Sequence, residues 1–206
     1  MHTATVWPAY AWPSESDKVL TALQEGRGVA FYLALPQGTP RSVVRTAIRA
    51  ALCQALSSWV GCPADSVTLS TDVGAAVRIV HPTTTAQISI SHEDGLSVAA
   101  IHPHRAIGVD VLGTSNPPWA DECLTLARDY LGPHRARQLA ELPVAQRSTA
   151  FAAAWTRWEA GLKSGGLGIS EWTAALQEGV DRCHTTWLEL PQGYCGAVAL
   201  QHGGAP

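Results

Sequence analysis

Residues 151–168 read FAAAWTRWEAGLKSGGLG. Wound as a helix, the stretch puts Phe151, Trp155, Trp158 and Leu162 at steps of four, three and four, one apolar stripe for a core. Thr156, Glu159 and Lys163 run beside that stripe, again three and four apart. A carboxylate and an ammonium one turn apart can hold a metal ion and a phosphate. They can equally form an ordinary solvated i,i+4 pair worth about 0.3 kcal/mol. The helix is expected to end at Ser164-Gly165-Gly166, where glycine accepts a left-handed cap. The chain has 14 Lys+Arg, but only Lys18 and Lys163 are lysine. Where arginine is the default cation, a lysine beside a glutamate marks a place for a compact ammonium.

The 206 residues suffice for a substantial core in one domain or two small halves. A net charge of -3 gives no global attraction to nucleic acid. With 46% hydrophobic and 15% charged residues, a folded chain is expected. The five cysteines are odd in number, scattered and without a CxxC, which fits free thiols in a reducing compartment. The first residues, MHTATVWPAYAWP, lack the basic and apolar regions of a signal peptide, and no apolar run approaches the ~20 residues of a membrane helix. A cytoplasmic protein without membrane or nucleic-acid partners, working as a monomer, is the expectation.

Outward from the central stretch, residues 1–28 read as a loosely organised lead-in. Val29–Leu35 is a buried strand, closed by Pro36 and Gly38. Thr39-Pro40 opens a helix along which Val44, Ile48, Leu52 and Leu56 step by four toward Gly61. Arg41, Arg45 and Arg49 step by four on another face with no acid to neutralise them, which offers a phosphate site or a solvated face. The period then changes to two. Val67–Ser70, Val77–Val80, Gln87–Ser91, Leu96–Ile101 and Ala106–Leu112 read as strands of an antiparallel meander, bringing His92 and Glu93 near Asp110. An aspartate inside the apolar strand AIGVDVL needs a partner or a cation, which singles out Asp110 as a metal candidate.

Asn116-Pro117-Pro118 divides an N-terminal half, residues 1–113, from a C-terminal half, residues 114–206. Trp119–Tyr130 and His134–Leu142 read as helices, and Pro143 separates them from the central helix. Ile169–Ala174, His184–Leu190 and Tyr194–Leu200 read as three further strands. The fold class is α+β, each half pairing a long helix with a small antiparallel sheet.

ISISHEDG, AIGVD and WTRWEAGLKSGGLG, in this order and spacing, resemble the Sfp-type 4′-phosphopantetheinyl transferases. That family shows a Ser-His turn, a (V/I)G(I/V)D strand and a W-(S/T)-x-K-E-(A/S)-x-x-K helix. The resemblance covers about residues 41–200. It implies a pseudo-twofold fold of two similar halves with the active site between them. It also implies transfer of phosphopantetheine from coenzyme A to a serine of an acyl or peptidyl carrier protein, as in secondary-metabolite biosynthesis. Under it, Asp110 and Glu159 bind Mg²⁺, or Mn²⁺ in its place, and Glu159 shares in deprotonating the serine. Lys163 meets the pyrophosphate, and Ser91 and His92 the coenzyme A phosphates. An acid found two residues after the strand aspartate in many relatives is Leu112 here, so Glu93, directly after the Ser-His pair, is expected to complete the metal site. The lysine before the helix glutamate is Trp158. An upstream Gly-Lys-Pro is Gly74-Ala75-Ala76, leaving Arg41, Arg45 and Arg78 as the cations for the 3′-phosphate.

The rival in the same family is a relative that binds coenzyme A or a carrier protein without transferring anything. A Ser91-His92-Asp110 hydrolase is disfavoured, because adjacent strand residues face opposite ways and no GxSxG elbow is present. A zinc site at His102 and His104 lacks nearby cysteines, and both histidines are expected to be solvated turn residues.

Overall fold

The computed structural model describes residues 6–70, 77–80, 84–114 and 122–202. It is an α+β protein whose strands β1 (Val6–Ala11), β2 (Val29–Ala34), β3 (Gln87–Glu93), β4 (Leu96–His102), β5 (Ile107–Gly113), β6 (Cys183–Glu189) and β7 (Tyr194–Gln201) form one sheet. The strand order is β3-β4-β2-β1-β6-β7-β5. β1 runs parallel to both β2 and β6, and all other pairs are antiparallel. The expected pair of separate antiparallel sheets is therefore a single mixed sheet, joined through the segment read as a loose lead-in. Pro8, which argues against a strand, sits where the ladder passes from β6 to β2.

Helix α1 (Ser16–Gln24) follows β1, and α2 (Arg41–Val60) follows β2. α2 ends on Gly61 at φ 74°, the left-handed cap its sequence asks for. Its apolar row Val44, Ile48, Leu52 and Leu56 is buried, in a core shared with Phe31 and Ile101. On the other side of the chain, α3 (Cys123–Leu126), α4 (Pro133–Ala140), α5 (Val144–Ser164) and α6 (Ala174–Asp181) build a second core around Phe151, Trp158 and Leu162. α5 is the central helix. It starts directly after Pro143 and closes with Gly166 at φ 71°, while the Leu167 N–H donates back to the Leu162 carbonyl at 2.9 Å.

Four expectations need correction. Residues 169–173 are irregular rather than a strand and lead into α6, capped where the Thr173 hydroxyl accepts the Leu176 N–H at 3.2 Å. The meander breaks after β4: β5 pairs along its length with β7, although it precedes the proposed division of the chain. Val67–Ser70 and Val77–Val80 meet at one antiparallel bridge, Leu69 with Ile79, rather than as strands. His102 is buried, its Nδ1 accepting the N–H groups of His104 and Arg105, both at 3.1 Å. Gly74-Ala75-Ala76 and Asn116-Pro117-Pro118 lie outside the described residues.

The two ends of the strand order curl back toward one another, so the sheet is nearly a barrel. Across the remaining gap, Ser89 Oγ accepts the Val109 N–H at 3.0 Å and Glu93 Oε2 accepts the Gly113 N–H at 3.0 Å. α5 lies directly on β5. A Cβ at Gly108 would fall on the Ala160 carbonyl and 2.5 Å from the Ser164 amide nitrogen, so only glycine allows the approach. Ala160 packs with Ala197 and Ala199 of β7, small residues that bring the helix close to the sheet.

Candidate functional site

That close approach sets the site. Asp110, two residues beyond Gly108 on β5, is 4% exposed. Lys163, on the last turn of α5, reaches over the strand and places Nζ 2.6 Å from Asp110 Oδ1. The same ammonium is 3.4 Å from Glu159 Oε2 and donates to Ser91 Oγ at 3.2 Å. The Ser91 hydroxyl in turn donates to Asp110 Oδ1 at 2.7 Å. One cation is thus held by two carboxylates and a hydroxyl. Burial pushes the Asp110 carboxyl up, to about 6, against the pull of the Lys163 charge; Glu159 adds to the rise. For Lys163, burial works to lower the ammonium, but Asp110 and Glu159 together outweigh it and the group is raised.

Around this cluster lies a cavity of ≈ 610 Å³. Arg41, Arg45 and Arg49 line it from α2, with Arg78 beside them. Ser91, His92 and Glu93 line it from β3, Asp110 from β5, and Glu159 and Lys163 from α5. Every residue expected from the sequence to act at a site therefore borders this one space. Ligand pockets commonly have this size, although an arginine-rich wall is unusual and favours an anion.

Within the cavity the residues differ in what they are free to do. The Arg49 guanidinium donates to the Ser70 carbonyl, tying the segment before Arg78 to α2. His92 turns away from Ser91 and shares a hydrogen bond with Ser97 Oγ through Nδ1 at 3.0 Å. No Ser-His-Asp relay forms, since Ser91 is bonded to Asp110 and His92 to Ser97. Burial, and then the charges of Arg45, Arg41, Lys163 and Arg49, lower the His92 imidazole to about 4, so it is neutral at pH 7. Glu93 has both oxygens engaged: Oε1 accepts the Asp94 N–H at 2.8 Å and Oε2 the Gly113 N–H. Among the described residues, no three His, Cys, Asp or Glu side chains group as a metal site. Asp110 and Glu159 converge on Lys163, whereas Glu93 grips backbone.

No protein-family model matches the chain. No curated protein matches it either.

Trp155 and Ser89 border the cavity but do not stand out in the sequence as site residues. Arg49, which also borders it, is marked by its spacing from Arg41 and Arg45. Ser89 has one in its alternation with Ser91. Trp155 belongs by spacing to the buried stripe, but it is only half-buried, packing on Tyr130 and Phe151 while it borders the cavity. Trp158, by contrast, is 5% exposed within the helical core and does not border this cavity.

Among the described residues, no helix is long and apolar enough to cross a membrane.

Proposed function

We propose that the protein is a phosphopantetheinyl transferase of the Sfp type, moving 4′-phosphopantetheine from coenzyme A to a serine of an acyl or peptidyl carrier protein. The supporting observation is one cavity with arginines on one wall and the Asp110–Lys163–Glu159 cluster on another. Coenzyme A brings two anionic parts, a 3′-phosphate and a pyrophosphate, and the cavity has two groups of charge to meet them. Arg41, Arg45 and Arg78 face the 3′-phosphate, assisted by neutral His92, which offers a hydrogen bond without a charge. Lys163 and Ser91 face the pyrophosphate.

The residues also fit a divalent cation. The Lys163 ammonium already stands as a small cation between Asp110 and Glu159, both of them hard oxygen donors. These two carboxylates would hold Mg²⁺, or Mn²⁺, which when bound neutralises charge on the pyrophosphate. The remaining work falls to the chain. Lys163 turns from Asp110 to the pyrophosphate and keeps the leaving oxygens neutralised. Glu159 takes the proton of the carrier's serine as its oxygen forms a bond to the pantetheine phosphorus. The bond from that phosphorus to the bridging oxygen breaks, and 3′,5′-adenosine diphosphate leaves with the electron pair.

The burial of Trp158 bears on the alternative of binding without transfer. The position where the family has a lysine faces the helical core here, so tryptophan there takes no cation out of the cavity. Mass spectrometry of apo carrier proteins incubated with coenzyme A and Mg²⁺ tests the proposal. A gain of one phosphopantetheine on serine is expected. Tight coenzyme A binding with every carrier left unmodified would favour the binding-only relative.

A further inference from the structure

The gap between β3 and β5 is bridged by side chains standing in for a backbone ladder. Ser89, Ser91 and Glu93, alternate residues of β3, accept the N–H groups of Val109, Val111 and Gly113, alternate residues of β5, at 3.0, 3.4 and 3.0 Å. β5 spends its other edge on β7. The three bonds therefore fix where β5 lies relative to β3. Asp110 stands between the first two of them, and its carboxylate must meet Ser91 and Lys163 within hydrogen-bond distance. Ser91 belongs to that cluster itself. Ser89 is 7% exposed and has no part in the cluster, and Glu93 has both oxygens on backbone N–H groups.

We propose that Ser89 and Glu93 are positioning residues, which hold β5 against β3 and thereby set the Asp110 carboxylate against Lys163 and Ser91. Its chemical consequence rests on the transferase reading; the positioning itself does not. Ser89 holds the gap at Val109 and Glu93 holds it at Gly113, where the longer side chain reaches the backbone. Serine hydroxyls and a carboxylate suit the task because each accepts a backbone N–H without demanding the matching carbonyl of a paired strand. Groups that orient a metal-binding carboxylate commonly change metal affinity by about 10–100-fold when removed.

Residue-resolved NMR on the full chain tests this. In the wild type, the amides of Val109 and Gly113 are expected to exchange slowly with solvent. Ser89→Ala should release Val109 and shift the Asp110 ¹³Cγ signal, and Ser89→Thr, which keeps the hydroxyl, should restore both. Glu93→Ala should release Gly113, while Glu93→Gln, which keeps a carbonyl acceptor, should hold it. By calorimetry, Mg²⁺ should bind Ser89→Ala roughly tenfold more weakly than wild type, with recovery in Ser89→Thr. The inference is overturned if Val109 exchanges fast in the wild type, or if Ser89→Ala frees Val109 without moving the Asp110 signal. If Ser89→Ala does not fold, the Glu93→Ala and Glu93→Gln pair decides by the same signals. A wild type that binds no Mg²⁺, yet shows these Asp110 responses, supports the positioning roles and sinks the transferase reading instead.

Discussion

Lys163 Nζ lies 2.6 Å from Oδ1 of Asp110, and this contact joins the end of the central helix to the strand beneath it. The pair is worth most where the partner cannot rehydrate. Asp110 is nearly sealed from solvent, whereas the Lys163 side chain is 27% exposed. Removing the lysine strands a buried carboxylate, and breaking such a pair costs on the order of 3–5 kcal/mol. Lys163→Ala is expected near the lower end of that range, read from urea unfolding. Lys163→Met with Asp110→Asn removes both charges and should recover most of the loss. A double variant no more stable than Lys163→Ala would show that the stranded Asp110 carboxylate is not what costs the single variant its stability.

Gly108 decides how near that helix can come. Its substitution by alanine drives a methyl group into the Ala160 carbonyl and the Ser164 amide, both backbone and unable to rotate away. Overpacking costs about 1–3 kcal/mol, and Gly108→Ala should reach the top of that range. Gly161→Ala makes a useful contrast. There the obstruction is the Val180 side chain at 2.8 Å, which can shift, so a much smaller drop in melting temperature is expected. Equal drops would show that the helix-to-strand approach is not the tight point.

Much of this arrangement is legible in the chain, and the exceptions have physical reasons. The row Val44, Ile48, Leu52 and Leu56 announces α2 because a helix buried on one face repeats nearly every fourth residue. QISIS announces β3 by its alternation. α6 has no buried residue to leave a stripe, so only its Thr173 cap betrays it. β1 is hidden by Pro8. Partner choice is beyond reach: nothing local in AIGVDVL says that β5 leaves β4 for β7. The site survives that error, because β3 and β5 still meet, through side chains rather than through a ladder.

Trp158 should behave as core, not as part of the site. Truncating a buried aromatic costs roughly 3–5 kcal/mol, so Trp158→Ala is expected to lower the melting temperature strongly. Trp158→Lys places the lysine of the resembled Sfp-type helix pattern at a 5% exposed position and should destabilise as well. Glu159→Gln, on the cavity side, should leave stability nearly unchanged while losing at least about 10²-fold in transfer rate. A Trp158→Lys variant as stable as wild type and more active would move that position into the site.

His92 gives the protein a pH dependence with a definite sign. Its folded value is lowered from 6.5 to about 4, first by burial and then by the surrounding arginines and Lys163. Between those two values the unfolded chain binds the proton and the folded one refuses it. Stability contributed by the neutral ring is therefore full above pH 6.5 and is lost as pH falls toward 4. His92→Gln should flatten this part of the stability profile, measured by urea unfolding from pH 7 to 4.5. An imidazole signal titrating near 6.5 in the folded protein would contradict the buried, cation-faced setting.

The arginines of α2 should divide by what they already hold. Arg49 is committed to the Ser70 carbonyl, so Arg49→Ala is expected to loosen the segment carrying Arg78 and lower the melting temperature. Arg41 and Arg45 border the same cavity and are exposed on the first turns of α2. Losing them should cost binding rather than folding. Coenzyme A is expected to bind more tightly than dephospho-coenzyme A, which lacks only the 3′-phosphate. That preference should shrink in Arg41→Ala/Arg45→Ala with the melting temperature held. A hydrogen bond from a guanidinium to a phosphate is worth about 1.5–3 kcal/mol, so a tenfold fall in preference is the least the double variant should show. An unchanged preference would place the 3′-phosphate away from α2, and Arg78 would then be the cation to remove next.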